Sequence, residues 1–233
     1  MPQRRRIYLM RHGAVNYFTA EGQPIPDDVP LSMIGIEQAR AAGTLFARQD
    51  CHFDRVVVSG LRRTLETARC VLAEMGATLP IEVEPGLVEI HAGRLRDIPA
   101  HMLEASFTAA TRGDATADTR FMEGERIGDM QARMIPAIDR LRADREWQSL
   151  LLVLHGGINR GILSYLLTGE DRILAGFEQS PACINVIDVG TDKRDVVVRA
   201  VNLCATDLLQ HNQRAMTMEQ LFADYLRLRK NAA

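Results

Sequence analysis

The amino-acid sequence of 233 residues predicts an α/β fold with three layers, in which helices cover both faces of a mostly parallel central sheet. Two observations lead to this prediction. Short runs rich in valine, isoleucine and leucine alternate along the chain with longer segments of helical periodicity. These short runs show no alternation of polar and apolar residues, which is the pattern of strands buried on both faces.

The N-terminal part of the chain contains the first strand and the first helix. Residues 7–10 predict a short apolar strand, and an irregular, proline-containing segment follows at residues 14–30. Ser32 is a suitable N-cap because its side chain can accept a hydrogen bond from the first helical turn. We expect this helix to end near Arg48, since apolar residues recur at helical spacing up to that point.

A second strand, a second helix and a weaker third strand follow. Residues 55–59 are rich in valine and predict a buried strand. Residues 81–84 predict a short strand that the following Pro-Gly pair terminates. The helix between these strands has an apolar stripe formed by Leu61, Leu65, Ala68 and Leu72.

The C-terminal half contains one long segment without strands. We therefore predict a single domain over residues 1–233, with residues 97–147 as a helical insertion. Residues 150–154 are the most apolar run and predict a central strand that is followed directly by a helix. A hairpin is expected over residues 184–201, and a terminal helix over residues 218–229.

Composition and charge exclude several classes of function. The formal net charge is −2, so no overall positive field favours nucleic acid. No apolar run approaches the length of a membrane span, and the one after Arg6 is too short for a secretory signal. The four cysteines include no C-x-x-C pair, which indicates free thiols and a cytoplasmic location. The six histidines lack zinc-binding spacing, so we expect no metal.

The tripeptide Arg11-His12-Gly13, directly after the first strand, is the main functional signal. Open α/β sheets bind ligands at the carboxyl ends of their strands. Arg11 offers a planar fork for two phosphate oxygens, and a neutral His12 offers a nitrogen that can attack phosphorus. The glycine lets the backbone approach a ligand closely. The alternative interpretation is a strand that ends in ordinary solvated residues.

Two further strand ends carry matching groups. Arg62 and Arg63 occupy the first turn of a helix, where the macrodipole disfavours cations, so Arg63 is a candidate phosphate ligand. His155-Gly156 follows the most apolar strand and occupies the same topological position as the first motif. Taken alone, the arginines fit a solvated pair and His155 fits a hydrogen-bonded core residue.

Glu89 is the candidate proton donor. It is flanked by Val88 and Ile90, and partial burial between apolar residues favours the protonated carboxyl that an acid catalyst needs. His91 is the rival for this role in the same segment.

These motifs and their order resemble those of the histidine phosphatase superfamily, also called the phosphoglycerate mutase-like family. Arg11-His12-Gly13 is similar to the family's nucleophile motif. Residues 59–68 resemble Ser-Pro-Leu-x-Arg-x-x-x-Thr-Ala, with Gly60 in place of the proline. The remaining matches are the helix start Leu31-Ser32-Met-Ile-Gly35, the acid segment Glu89-x-x-x-Gly93, Gly124-Glu125 in the insertion and His155-Gly156.

The resemblance implies a metal-independent phosphomonoester hydrolase that works through a phosphohistidine and needs no cofactor. In this scheme His12 attacks phosphorus in line, and Glu89 protonates the leaving oxygen and then takes a proton from the attacking water. The groups implied to bind the phosphate oxygens are Arg11, Arg63, His155 and Gly156.

Three alternatives stay open. The first is phosphoglycerate mutase, whose acid segment typically reads Glu-Arg-His-Tyr-Gly, whereas residues 89–93 read Glu-Ile-His-Ala-Gly here. Compensating cations are available at Arg94, Arg96 and Arg160. The second is a catalytically silent binding or regulatory module, although binding alone needs no proton donor. The third, a nucleotide-binding oxidoreductase, lacks the expected G-x-G-x-x-G.

The substrate is not identified by these motifs. We expect specificity to arise from residues 14–30 and 90–130, because irregular segments near a site commonly carry it. Phosphosugars, phosphoglycerate, nucleotide-derived esters and phosphoproteins all stay open. We expect a small phosphorylated substrate and neither nucleic acid nor a membrane as partner, and nothing in the sequence indicates the oligomeric state.

Overall fold

The computed structural model describes residues 4–25, 28–113, 115–211 and 213–231. Residues 26 and 27 of the predicted irregular segment and residue 114 of the predicted insertion therefore lie outside the described residues. The strands are β1 (Arg5–Arg11), β2 (Arg55–Val58), β3 (Ile81–Val83), β4 (Ser149–Leu154), β5 (Ile184–Val189) and β6 (Val196–Leu203). The α-helices are α1 (Met33–Arg48), α2 (Arg62–Glu74), α3 (Leu103–Thr108), α4 (Ile127–Ala143), α5 (Gly156–Thr168) and α6 (Thr217–Asn231).

The strands form one mixed sheet in the order β3-β2-β4-β1-β5-β6. Strands β3, β2, β4 and β1 are parallel, whereas β5 runs antiparallel to both β1 and β6. The predicted three-layer fold with a mostly parallel sheet is confirmed. The central position of β4 and the β5–β6 hairpin are also as predicted, because apolar runs and turn residues signal both features locally.

The two faces of the sheet are covered by different helix pairs. Leu150, Leu152 and Leu154 of β4 belong to the cluster that includes side chains of α4 and α5. Leu151 and Val153 belong to the opposite cluster, with α1 and α2. Strand β4 is thus apolar on both sides, which explains why its sequence shows no alternation.

The segment predicted as an insertion has two parts with different packing. Helix α4 packs into the main core, with Met130, Met134 and Ile138 almost fully buried there. The part before it contains short 3₁₀ turns and α3, and its Phe107 forms a separate apolar cluster with α6. The assignment of the whole segment 97–147 as an insertion stays a prediction.

Two helix features follow the sequence expectations closely. Ser32 caps α1, since its Oγ accepts a hydrogen bond from the Gly35 N–H at 3.1 Å. The terminal helix α6 begins at Thr217, one residue before the predicted start. None of the helices in the described residues has the length and apolarity that crossing a membrane requires.

The loop after β1 lies in direct contact with the start of α1. A Cβ atom on Gly35 would lie 2.1 Å from the carbonyl oxygen of Ala14, and one on Gly13 would lie 2.3 Å from that of Gly35. The two backbone segments therefore approach each other at a distance that no other residue type allows. This contact holds the residues that follow Arg11 against the helix.

We predict that Gly35→Ala lowers the free energy of unfolding by about 1–3 kcal/mol, because the added methyl group overlaps fixed backbone atoms. Gly176→Ala is the matched control, since a Cβ there has no heavy atom within 4 Å. The control should change stability by less than about 0.5 kcal/mol. Urea denaturation measures both variants, and equal stability for the two would contradict the close contact.

Candidate active site

Three strand ends and one loop bring the predicted site residues together. Strands β1, β4 and β2 are adjacent and parallel, so their carboxyl ends lie at one edge of the sheet. The pairing of Arg11 with Leu154 places His12 beside His155, and the His12 N–H donates to the Leu154 carbonyl at 2.9 Å. The centroids of the two imidazole rings are 5.2 Å apart.

The hydrogen bonding of His12 determines which ring nitrogen can react. Its Nδ1 lies 2.7 Å from the Gly13 carbonyl, which only accepts, so Nδ1 carries the proton. Nε2 therefore keeps its lone pair. Burial, together with the charges of Arg11 and Arg63, lowers the pKa of His12 well below its usual value of 6.5. The imidazole is thus neutral and nucleophilic at neutral pH.

Arg11 is a buried cation whose Nε is available to a ligand. Its Nη1 donates to the Gln179 carbonyl and to Thr217 Oγ1, the latter at 3.2 Å. Its Nε is buried and has no hydrogen-bond partner. Gly156 lies beside this guanidinium, since a Cβ there would be 3.6 Å from Nε. A buried unsatisfied donor of this kind indicates a site for an anion.

Arg63 approaches the same point from the first turn of α2, where it is 6% exposed. The turn before it passes through Gly60 at φ +98°, a conformation that a proline cannot adopt. This backbone conformation explains why glycine stands here at the position where the family motif has proline. Thr67 of the same helix joins α2 to the first loop, because its Oγ1 accepts from the Gly13 N–H at 3.1 Å.

His155 is completely buried between these groups. Its Nε2 is 2.8 Å from Ser59 Oγ, and its Nδ1 has no partner. Burial and the neighbouring His12, Arg63 and Arg11 lower the pKa of His155 well below 6.5. His155 therefore combines a hydrogen bond that orients its ring with a second nitrogen that a ligand can satisfy.

Glu89 lies at the N-terminus of α5, opposite the arginines. Its carboxylate accepts hydrogen bonds from the N–H groups of Ile90, Gly157 and Ile158 at 3.0–3.1 Å. The structure thus surrounds this carboxylate with backbone donors, in addition to the apolar neighbours predicted from the sequence. The donors hold the carboxylate at the helix terminus that also begins with Gly156.

Arg133, which the sequence motifs did not indicate, holds the backbone that carries Glu89. Its guanidinium donates to the carbonyls of Gly86, Val88 and Glu89 and to the Glu125 carboxylate. Although burial opposes ionisation, Arg133 and the backbone N–H of His91 hold the pKa of Glu125 below its usual value. Gly124-Glu125 therefore positions the acid segment and lies apart from the two buried imidazoles.

His91, the rival proton donor, lies apart from the two buried imidazoles. Its side chain is 61% exposed, and its Nδ1 lies 3.1 Å from Glu125. The geometry therefore favours Glu89 over His91 for contact with a group bound between the arginines. Three other contacts were also missed from the sequence. They are the Ser59–His155 hydrogen bond, the Thr67 bond to the first loop and the Glu178–Thr217 pair beside Arg11.

The convergent groups form an electropositive pit. Two arginines and two imidazoles face one carboxylate, and neither imidazole is compensated by an acidic partner. In the residues that the structure describes, no three His, Cys, Asp or Glu side chains are arranged to share a metal ion. The pit combines donors that could bind a phosphoryl group with a neutral imidazole whose Nε2 keeps its lone pair.

Comparisons with known proteins give a consistent result. A family model described as histidine phosphatase superfamily (branch 1) matches residues 7–202. The chain is 31% identical over 189 residues to the adenosylcobalamin/alpha-ribazole phosphatase of Salmonella typhimurium, covering 79% of this chain and 90% of that one. It is 30% identical over 164 residues to a probable phosphoglycerate mutase of Yersinia pestis, covering 70% and 74%.

A solved structure has a similar fold. The crystal structure of a putative alpha-ribazole-5'-P phosphatase from Escherichia coli superimposes with a TM-score of 0.66 and 25% sequence identity. The superposition covers 85% of this chain and 96% of that chain. The part of this chain after residue 202, which includes α6, lies beyond the family match.

We predict that the free energy of unfolding falls as the pH drops below about 6.5. In this range the histidines of the unfolded chain bind protons, whereas the buried imidazoles of the folded protein stay neutral. The pKa values of His12 and His155 are lowered in the folded state, so their contribution is present above pH 6.5 and is lost below it. One pH unit below that value, each histidine should remove about 1.4 kcal/mol from the free energy of unfolding.

The comparison of His155→Asn with His52→Asn tests this prediction by denaturation at several pH values. His52 is a suitable control because its side chain is 82% exposed. The free energy of unfolding of His155→Asn should depend less on pH than that of the parent protein. His52→Asn should show the same pH dependence as the parent protein. The same pH dependence in all three proteins would show that the buried imidazoles are not its source.

Proposed function

Because the chain belongs to the histidine phosphatase superfamily, we propose that it hydrolyses small phosphomonoesters through a phosphohistidine on His12, without a metal ion or cofactor. One observation carries this proposal. The buried, neutral imidazole of His12, whose Nε2 keeps its lone pair, lies close to the buried guanidinium groups of Arg11 and Arg63. That arrangement supplies a nucleophile for phosphorus and the positive charge that the transferred phosphoryl group requires.

The first step transfers the phosphoryl group to the enzyme. His12 Nε2 forms a bond to phosphorus while the bond from phosphorus to the ester oxygen breaks. Arg11, Arg63 and His155 bind the three equatorial oxygens, and the unpartnered Arg11 Nε is one of the donors. The proton that Glu89 delivers to the leaving oxygen produces a neutral alcohol.

The second step returns the enzyme to its starting state. Water attacks phosphorus, the bond from phosphorus to His12 Nε2 breaks, and the Glu89 carboxylate accepts the proton of the water. Inorganic phosphate then leaves, and Glu89 is protonated again for the next cycle. The hydrogen bonds from Gly157 and Ile158 hold the carboxylate in reach of both the leaving and the attacking oxygen.

The alternative of a phosphoglycerate mutase is favoured by the name of the Yersinia relative. A mutase needs cations for the substrate carboxylate beside the acid, and Ile90 and Ala92 supply none here. Of the three compensating cations, Arg160 is already engaged by the Phe177 carbonyl and the Glu178 carboxylate, whereas Arg94 and Arg96 line the adjoining cavity and are exposed. Because neither exposed arginine is buried beside the acid, we propose water as the acceptor. A catalytically silent binding module would not need a proton donor, so the positioning of the Glu89 carboxylate supports an enzyme.

We predict a phosphoenzyme that is labile in acid and stable in base, because a phosphoramidate has these properties. Rapid quenching with labelled substrate should trap it on the native protein and yield none with His12→Ala. Treatment with a chelator should leave turnover unchanged. Undiminished activity in His12→Ala, or a loss on chelation that a divalent ion reverses, would contradict the mechanism.

The same phosphoenzyme distinguishes a hydrolase from a mutase. Incubation with 3-phosphoglycerate and its bisphosphate primer should yield no 2-phosphoglycerate, and any turnover should release inorganic phosphate. Rapid interconversion of the two isomers would instead establish the mutase.

We predict that Glu89→Gln lowers kcat/KM at least about 100-fold for alkyl phosphates and much less for p-nitrophenyl phosphate. The nitrophenolate of the second ester leaves without needing a proton. The constant kcat/KM reports only the steps up to phosphohistidine formation, so it isolates the acid role. The matched control is His91→Gln, for which the ratio of kcat/KM between the two classes of ester should equal that of the native protein. Equal losses on both esters in Glu89→Gln would assign Glu89 a role in positioning instead.

A further inference from the structure

The catalytic pit opens into a cavity that is much larger than a phosphate group. Its volume is about 1430 Å³, and Arg11, Arg63, Glu89 and Gly156 are among the residues that line it. Pockets for drug-sized ligands usually measure about 300–1,000 Å³. A substrate bound with its phosphoryl group at the arginines therefore has a large space for the rest of the molecule.

One part of the lining of this cavity is aromatic and apolar, and Arg94, Arg96 and Arg229 line it elsewhere. Aromatic residues make up 5% of the chain, yet Tyr17, Phe18, Phe121 and Tyr225 all line this one cavity. Apolar side chains such as Leu221 fill the surface between them. Such a wall binds a flat, apolar group through burial of surface and through edge or stacked contacts between rings.

Helix α6 supplies much of this wall and is held firmly in place. The ring of Tyr225 lies 5.3 Å from that of Phe18 and 5.9 Å from that of Phe107, and the Phe107 ring also contacts Phe222 at 5.2 Å. These contacts attach α6 both to the segment after β1 and to α3. The wall is therefore a packed part of the protein.

The start of α6 is joined directly to the phosphate-binding floor. The hydroxyl of Thr217 donates to Glu178 and accepts from Arg11 Nη1 at 3.2 Å. Glu178 also contacts Arg160 Nη2 at 3.4 Å. One hydrogen-bonded chain thus connects the guanidinium that would bind the phosphoryl group with the helix that forms the wall.

From these observations we propose that the enzyme selects phosphomonoesters whose leaving alcohol carries a flat, apolar or aromatic ring, and that α6 is the element that selects them. The inference rests on the proposed function. With the phosphoryl group between Arg11 and Arg63, the ring extends into the cavity and packs against Phe18 and Leu221. A small, fully polar leaving group does not cover this wall, so the wall contributes no binding energy to its reaction.

The test compares 3-phenylpropyl phosphate with propyl phosphate. Both esters release a primary alcohol of similar leaving ability, so they differ mainly in the ring. The ring should raise kcat/KM by about tenfold or more, as expected for burial of an aromatic group. A second pair, a nucleoside 5'-monophosphate and ribose 5-phosphate, distinguishes a nucleobase from a purely apolar ring as the preferred group.

Two variants of α6 show whether the helix is responsible. Leu221 lines the cavity, whereas Leu226 is 48% exposed on the same helix and lies outside the lining. Leu221→Asn should reduce the ring preference several-fold, and Leu226→Asn should keep it. The readout is a ratio of two substrates on one preparation, so a loss of folded protein cancels.

Each other outcome overturns the inference. Equal kcat/KM within both pairs of esters, with the phosphohistidine still trapped, would leave the proposed function intact and refute ring selection. An equal ring preference in both leucine variants would refute the role of α6. The absence of turnover on all four esters, without a phosphohistidine, would refute the proposed function and the inference together.

Discussion

The burial of two arginines beside two imidazoles is the constraint on which the site depends. Charged guanidinium groups inside a protein are costly unless they are hydrogen-bonded, and carbonyl and hydroxyl acceptors hold Arg11. The same charges keep His12 and His155 neutral. The pit therefore contains a neutral, nucleophilic imidazole and an excess of positive charge. In the proposed function an incoming phosphoryl group supplies the compensating negative charge, so its binding and its transfer would both depend on the same buried cations.

The sheet provides the geometry that this electrostatic arrangement needs. Parallel pairing of β1 with β4 ends both strands at the same level, which places the two histidines side by side. Around them, the bond that the Gly13 N–H donates to Thr67 and the hydrogen bond between Ser59 and His155 join the loops after β1 and β4 to the segment of β2 and α2. Because these bonds connect backbone and side chains of rigid elements, the reacting groups are oriented before a substrate arrives.

Local sequence was sufficient for most of the fold, and it also indicated the candidate site residues that the structure brings to one edge of the sheet. The apolar run of β4, the Ser32 cap of α1 and the hairpin of β5 and β6 each have a signal within a few residues. The groups after the strand ends were equally readable, because parallel strands carry their ends to one edge. Arg133 had no such signal. An arginine inside an amphipathic helix resembles any solvated one until its partners are known.

The sequence by itself determined the order of strands and helices, the identity of the candidate nucleophile and its neighbours, and the family resemblance. Periodicity, turn residues and motifs are properties of adjacent residues, which is why they can be read directly. Only the tertiary structure decided what surrounds the candidate phosphate-binding groups. Arg11 and Thr217 are 206 residues apart in the chain, yet they share a hydrogen bond. Contacts of this kind arise when separate elements pack together, and no local pattern encodes the wall that α6 places above the site.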